Sequence, residues 1–181
     1  MVIWIDGVNG VGKSHVAAEL EELLAEKNTE YVESDLYWED LLRNDFSKVL
    51  SGFDPYYNKY FMEILRKVLE EKIYNYGKLP IVSMSLVDKL CEKELFHYFE
   101  EKGIIMLHVI LEAKRETIIA RIENDPIRDK NAQNQQKAKV DWQMKYLKAE
   151  YPNAIRINTE DKAIHIIANE IMSFYRKTEH T

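Results

Sequence analysis

Apolar positions along the chain fall into short unbroken runs that alternate with stretches where they recur every three or four residues. The runs read as strands and the stretches as amphipathic helices. Val2-Ile3-Trp4-Ile5 predicts a first strand, and Val16, Ala17, Leu20, Leu23 and Leu24 predict a helix that Glu26-Lys27-Asn28 closes. Tyr31-Val32-Glu33-Ser34-Asp35 predicts a second strand ending in an acidic residue. Leu36 to Ser47 predicts a short helix with Tyr37, Trp38, Leu41 and Leu42, followed by a break at Ser51-Gly52. Asp54-Pro55 supplies a cap and a first-turn proline for a long helix that carries Phe61, Ile64, Leu65, Val68, Leu69 and Ile73 as far as Gly77.

Pro80-Ile81-Val82-Ser83-Met84 predicts the third strand, with Ser83, Ser85 and Asp88 at or beyond its end. Asp88 is placed to cap a helix that runs to about Lys102 and that Gly103 closes. Ile104 to Leu111, the most apolar run, predicts a strand buried on both faces in a central position. Glu112 to Ile122 returns to helix with Ile118, Ile119 and Ile122 inward, and Asn124-Asp125-Pro126 breaks it into a polar segment holding Arg128, Asp129 and Lys130. A helix with Val140, Trp142, Tyr146 and Leu147 is predicted from Asn134 to Glu150, then a strand at Ala154-Ile155-Arg156-Ile157. Thr159 is read as the cap of a last helix, with Glu160 and Asp161 in its first turn, Ala163, Ile164, Ile167, Ile171 and Phe174 inward, and Arg176 and Lys177 near its end. Five strands alternating with helices predict an α/β fold, a parallel sheet covered on both faces with right-handed crossovers.

Composition narrows this picture. The 181 residues form a single domain, 1–181, with no Pro/Gly/Ser-rich linker to divide it. A formal charge of -6, from 31 acidic and 25 basic side chains, gives no long-range attraction for a nucleic acid backbone, so an anion must be held by a local basic cluster. Cys91 is the one cysteine, which excludes an internal disulfide framework, and its amphipathic setting reads as core. With no signal peptide and no apolar run long enough for a membrane span, a cytoplasmic protein is expected.

The chemistry concentrates in Gly7-Val8-Asn9-Gly10-Val11-Gly12-Lys13-Ser14, a G-x-x-x-x-G-K-S sequence set between a predicted strand and a predicted helix. Glycines let consecutive backbone N–H groups curl around a polyphosphate, and the following helix aims its N-terminal donors at the same anion. Lys13 reaches the β- and γ-phosphates, and the Ser14 hydroxyl ligates Mg²⁺. Gly7, Asn9, Gly10, Val11, Gly12, Lys13, Ser14 and His15 are therefore the candidate cofactor-binding residues, for ATP and Mg²⁺, with Ser14 as the metal ligand.

No guanine-reading N-K-x-D occurs, and the third strand ends in Ser rather than Asp, which sets aside GTPases and motor-type ATPases. An acidic residue after the second strand and a basic, Pro-interrupted segment late in the chain suit small-molecule phosphoryl transfer. A carboxylate there orients the acceptor hydroxyl and takes its proton, and mobile arginines cover the developing phosphoryl charge. Asp35 should emerge on the rim that bears the phosphate loop, because ligands of open parallel sheets lie beyond the strands' carboxyl ends. It reads either as the acceptor-binding acid or as a helix cap. His97, His108 and His165 show no partner acid and no metal-ligand spacing, and read as plain strand or helix residues.

The Val2-to-Ser14 block, Pro80-Ile81-Val82-Ser83-Met84-Ser85-Leu86-Val87, His108-Val109-Ile110-Leu111 with Ala113-Lys114-Arg115-Glu116-Thr117 and Arg121, and Trp142-Gln143 resemble the tunicamycin-resistance ATP-binding protein family. That family is a branch of the group holding chloramphenicol phosphotransferase, gluconate and shikimate kinases and adenylate kinase. The resemblance implies a three-layer P-loop NTPase fold with strand order 2-3-1-4-5 and a short helical lid. It places the acceptor-binding segment at about 36–76 and the lid at about 121–139. It implies catalytic roles for Lys13, Asp35, Arg121 and Arg128, the arginines closing on the phosphates; Arg121 reads alternatively as a solvated helix residue and Arg128 as a partner of Asp125 or Asp129. Lys130, Lys137 and Lys139 add charge to the lid or only solubilise it. Tyr37, Trp38, Tyr56, Tyr57 and Tyr60 line an acceptor pocket or pack as core. The expected partner is a small-molecule acceptor, an antibiotic or nucleoside-like compound, bound by a monomer or homodimer. Two alternatives stand beside the kinase, a drug-binding protein without transfer and a regulatory nucleotide sensor.

Overall fold

The computed structural model describes residues 1–50 and 54–179. A five-stranded parallel sheet in the order β2-β3-β1-β4-β5 forms its centre. Strand β1 (Val2–Gly7) leads into helix α1 (Lys13–Leu23), β2 (Thr29–Glu33) into α2 (Ser34–Asn44) and α3 (Phe46–Val49), and α4 (Lys59–Glu70) returns the chain to β3 (Leu79–Ser83). Helices α5 (Lys89–Cys91) and α6 (Tyr98–Glu101) are joined by a π-helical turn and precede β4 (Met106–Glu112). Helices α7 (Arg115–Glu123) and α8 (Lys130–Glu150), strand β5 (Ile155–Asn158) and helix α9 (Ile164–Glu179) complete the fold. The order is the one the family resemblance implies.

Strand β4 takes the interior place expected of it, paired with β1 on one edge and β5 on the other, and β1 holds the middle of the sheet. All six residues of β1 are buried, because strands pair with it on both edges and helices cover both faces. Trp4 is wholly buried and satisfies its indole N–H on the Met84 carbonyl at 3.0 Å. Helix α1 buries Val16, Ala17 and Leu20 and packs on α9 through Ile167, Ala168 and Ile171. Each such aliphatic side chain contributes roughly 1.5–3 kcal/mol on burial.

Several boundaries differ from the sequence reading, each for a local reason. Strand β2 stops at Glu33, because the Ser34 hydroxyl donates to the Ser83 carbonyl at 2.9 Å and turns the chain into α2. Asp35 consequently sits in the first helical turn instead of closing the strand. Asp54 caps only the 3₁₀ turn Pro55–Tyr57; the long helix starts at Lys59, where Asn58 accepts from the N–H groups of Tyr60 and Phe61. Asp129 caps α8 on the Ala132 N–H, so that helix begins four residues before Asn134. Thr159 and the acids after it do not open α9, which starts at Ile164 with no acidic residue in its first turn. The Ser51-Gly52 break lies outside the described residues. Cys91 is buried in the core, with its thiol on the Tyr56 carbonyl at 3.3 Å.

Candidate active site

The register brings Gly7, Glu33, Ser83 and Leu111 to one edge of the sheet, since Glu33 pairs with Ser83, Ile5 with Ser83 and Gly7 with Leu111. Beyond that edge opens a cleft of about 700 Å³. Its walls are the loop 9–16, the end of β2 with the start of α2, the end of β3, the turn 125–128 after α7, and the segment between β5 and α9.

Loop geometry follows from its glycines. Gly7, Gly10 and Gly12 hold φ values of 139°, 80° and 106°, a region that costs a side-chain-bearing residue strain. A Cβ at Gly10 would stand 2.5 Å from Ile122 Cγ1, whereas one at Gly12 would meet nothing within 4 Å and would project into open space. Gly12 is the N-cap of α1 and carries no side-chain cap, which leaves the helix N-terminus available to an anion. Gly7 lies under the loop and off the cleft wall: its N–H donates to Asp6 at 2.6 Å, and its carbonyl accepts from Ser85 Oγ at 2.6 Å.

Lys13 Nζ donates to the carbonyls of Gly7 and Val8 at 3.0 and 3.2 Å. Burial pulls its pKa down, against the upward pull of Asp6, Asp35 and Glu33. Ser14 and His15 are exposed at the cleft in the first turn of α1. Asn9 is held from two sides: its N–H donates to Gln143 Oε1 of α8 at 3.2 Å, and its Oδ1 accepts from the Tyr56 hydroxyl at 3.4 Å. Val11 is buried beneath the loop.

Asp35 faces the same cleft. The cleft walls desolvate its carboxylate and the neighbouring Glu33 repels it, so its pKa is raised, while Lys13 and Arg128 pull it back. The helix N-cap is Glu33, with no side-chain cap bond, so Asp35 is not serving as the cap. Glu33 accepts from Ser83 Oγ at 3.0 Å and from the Tyr31 hydroxyl, which also engages Ser14.

Arg121 and Arg128 both reach the cleft, differently employed. Arg121 donates to the Val11 carbonyl at 3.1 Å, to Thr159 Oγ1 at 3.0 Å and to the Thr159 carbonyl at 3.2 Å, stitching the loop to the end of β5. Arg128 pairs with Asp125 on the turn after α7, and its charge acts on both Lys13 and Asp35. That turn is gathered by the buried Gln133, whose Nε2 donates to the carbonyls of Glu123, Asp125 and Arg128 at 3.4, 3.0 and 3.2 Å. Lys137 pairs with Glu123, and Lys139 pairs with Asp54 over the Tyr56 ring. Of the aromatics, Tyr56 and Phe61 line the cleft, Trp38 packs edge-on to Phe61, and Tyr57 is exposed.

Among the charged and polar cleft residues that sequence reasoning missed are Glu33, Gln136 and Lys162. Only Glu33 carried a local signal, an acid two residues before Asp35 where a strand ends. The histidine reading is corrected twice: His108 Nε2 lies 2.9 Å from the Asp6 carboxylate, and His97 contacts Glu100 and Glu92.

The residues fit MgATP. An open glycine cradle, an uncapped helix N-terminus and Lys13 suit polyphosphate. The exposed Ser14 hydroxyl suits a magnesium ion that keeps most of its shell as water and nucleotide oxygens. Among the described residues no group of three or more His, Cys, Asp or Glu stands ready to hold a metal without such help.

Fold and loop together define a P-loop NTPase-like protein with a helical lid. The AAA domain family matches residues 2–149, and the chain belongs to it. Among solved structures, the tunicamycin resistance protein of Deinococcus radiodurans is similar at 22% identity and TM-score 0.70, over 96% of this chain and 94% of that one. The APS kinase of Mycobacterium tuberculosis, in complex with AMPPNP and APS, is similar at 20% identity and TM-score 0.68, over 97% and 96%. A gluconokinase from Sinorhizobium meliloti is similar at 14% identity and TM-score 0.64, over 99% and 94%. No curated protein matches the chain. Among the described residues no helix is long and apolar enough to cross a membrane.

Proposed function

We propose that the chain is an ATP-dependent phosphotransferase acting on a hydroxyl of a small molecule. One observation carries the reading: Asp35, a carboxylate with no capping duty, faces the same cleft as the phosphate loop, within the electrostatic reach of Lys13 and Arg128. MgATP, when bound, supplies the phosphoryl group. Gly10, Gly12 and the first N–H groups of α1 would hold the phosphates, and Lys13, now on the Gly7 and Val8 carbonyls, would supply its positive charge to them. Ser14 takes the metal. Asp35 orients the acceptor hydroxyl and receives its proton on a carboxylate oxygen, and Arg128 brings its charge over the reacting group from the turn 125–128, which acts as the lid. The segment from α2 to α4 forms the acceptor wall through Asp35, Tyr56 and Phe61. The similarity to the Deinococcus protein supports a place near the tunicamycin-resistance ATP-binding proteins and an antibiotic or nucleoside-like acceptor.

A second reading, binding of a drug without transfer, draws on both arginines being engaged: Arg121 by Val11 and Thr159, and Arg128 by Asp125 in a half-exposed pair. Incubation with ATP and a panel of hydroxyl-bearing antibiotics, nucleosides and sugars separates the two. Mass spectrometry should find a product heavier by one phosphoryl group. Acceptor binding with no such product would select the second reading.

A further inference from the structure

The two ends of the cleft differ in charge. Its lining lysines and arginines are Lys13, Arg121, Arg128 and Lys162, and each has a place on the phosphate side. Lys13 sits on the loop carbonyls, Arg121 on Val11 and Thr159, Arg128 on Asp125, and Lys162 on Glu170 at 2.7 Å. They come from the loop, the lid turn and the segment after β5.

The facing wall, from the ends of β2 and β3 and the turn 55–57, brings Glu33, Asp35, Ser83, Ser85, Tyr56 and Phe61 to the cleft. Among the described residues it brings no lysine or arginine. Lys139 pairs with Asp54 over the Tyr56 ring, and Lys13 and Arg128 act on Asp35 from the phosphate side. Among the described residues Glu33 accepts hydrogen bonds from two hydroxyls, those of Ser83 and Tyr31, and from no lysine or arginine. Its field is felt at Asp35, whose proton affinity it raises after desolvation. An acidic acceptor would bring a third negative charge beside Glu33 and Asp35, where the wall itself lends no lysine or arginine, whereas an ammonium group would complete a charge-assisted hydrogen bond with Glu33.

We propose that the acceptor is a hydroxylated amine, an amino sugar or aminocyclitol, whose protonated amine lies against Glu33 while a neighbouring hydroxyl faces Asp35 and the phosphate loop. This rests on the phosphotransferase reading and specifies its substrate class.

Matched probes that differ in charge on similar rings test it: 2-deoxystreptamine, myo-inositol and quinate, with glucosamine, glucose and glucuronate as a second set. Each is titrated calorimetrically into the protein already saturated with a non-hydrolysable MgATP analogue. The amine of each set should bind about ten-fold or more tightly than its neutral counterpart, and the acid most weakly. Glu33→Gln should erase that preference and leave analogue affinity unchanged. Asp35→Asn, which keeps the Tyr31 and Ser83 contacts of Glu33 in place, should shrink it. Tighter binding of the neutral or acidic members, no amine-selective binding in either set, or a preference that survives both substitutions would overturn the inference with the phosphotransferase reading intact. Failure of the analogue to bind at all would instead overturn that reading and this inference with it.

Discussion

The carboxylate of Asp6 and the imidazole of His108 meet 2.9 Å apart beneath the phosphate loop, although 102 residues separate them in sequence. Asp6 is wholly buried, and its other oxygen accepts from the N–H groups of Gly7 and Leu86 at 2.6 and 3.1 Å. His108 is wedged between the rings of Phe96 and Tyr151. The contact ties the start of the loop to β4 and to the chain just after β3.

Removing one member of such a buried pair strands its partner. Asp6→Ala leaves two backbone donors and the imidazole without their acceptor, and is expected to cost about 3–5 kcal/mol in urea denaturation. His108→Ala, which leaves the two backbone bonds to Asp6 in place, should cost less. Equal stability of Asp6→Ala and the parent would show that the contact contributes nothing to the fold.

Lys13→Met should weaken MgATP binding at least about ten-fold, the worth of a hydrogen bond to a charged group, and abolish transfer. The fold should persist, because Lys13 meets loop carbonyls rather than core side chains and its charge is held against desolvation. Titration calorimetry with MgATP, paired with circular dichroism, checks both parts. Unchanged nucleotide affinity would contradict the role given to the loop.

Asp35→Asn should lower acceptor-dependent turnover by about 10²- to 10⁴-fold while MgATP affinity stays at the parental value. The parent loses turnover as pH falls through a carboxyl pKa raised above its ordinary value, and the variant lacks that limb. Stability moves the other way. A carboxyl whose folded pKa is raised makes the ionised form unfavourable in the fold above that pKa, and the disadvantage vanishes once pH falls below the ordinary value. The Asn variant should therefore melt higher at neutral pH, with the gap closing in acid. Melting curves at the two pH values, alongside rates with an identified acceptor, decide it.

The two arginines should separate cleanly. Arg121→Ala removes three hydrogen bonds that join the loop to the end of β5, so melting temperature and nucleotide affinity should both drop. Arg128→Ala removes a half-exposed pair with Asp125 and should change the melting temperature little, while kcat falls more than MgATP affinity. Thermal melts and steady-state kinetics on both variants provide the comparison, and identical profiles would refute the division of roles.

What could be read in advance was whatever is carried locally. The loop motif, α1 behind it and the alternation that dictates a parallel sheet all lie in contiguous residues, and the structure returns them. Errors arose where a side chain that resembles a cap is spent on something distant. Thr159 looked like the start of α9, yet its hydroxyl and carbonyl serve Arg121, 38 residues earlier. Asp35 looked like the end of a strand because nothing nearby announces that Ser34 turns the chain by bonding Ser83, 49 residues on. The Asp6–His108 and Asn9–Gln143 contacts are equally remote and have no period or spacing to betray them.

Gln133 gives the turn 125–128 a mechanical character. With the carbonyls of Glu123, Asp125 and Arg128 converging on one amide nitrogen, the segment is tied to the first turn of α8 and is not a string of independent dihedrals. Ordering a slack loop over a ligand costs roughly 1–2 kcal/mol for every residue that is fixed. A turn already tied through its backbone has spent most of that entropy when the chain folds, and Arg128 is held at the cleft by that same turn.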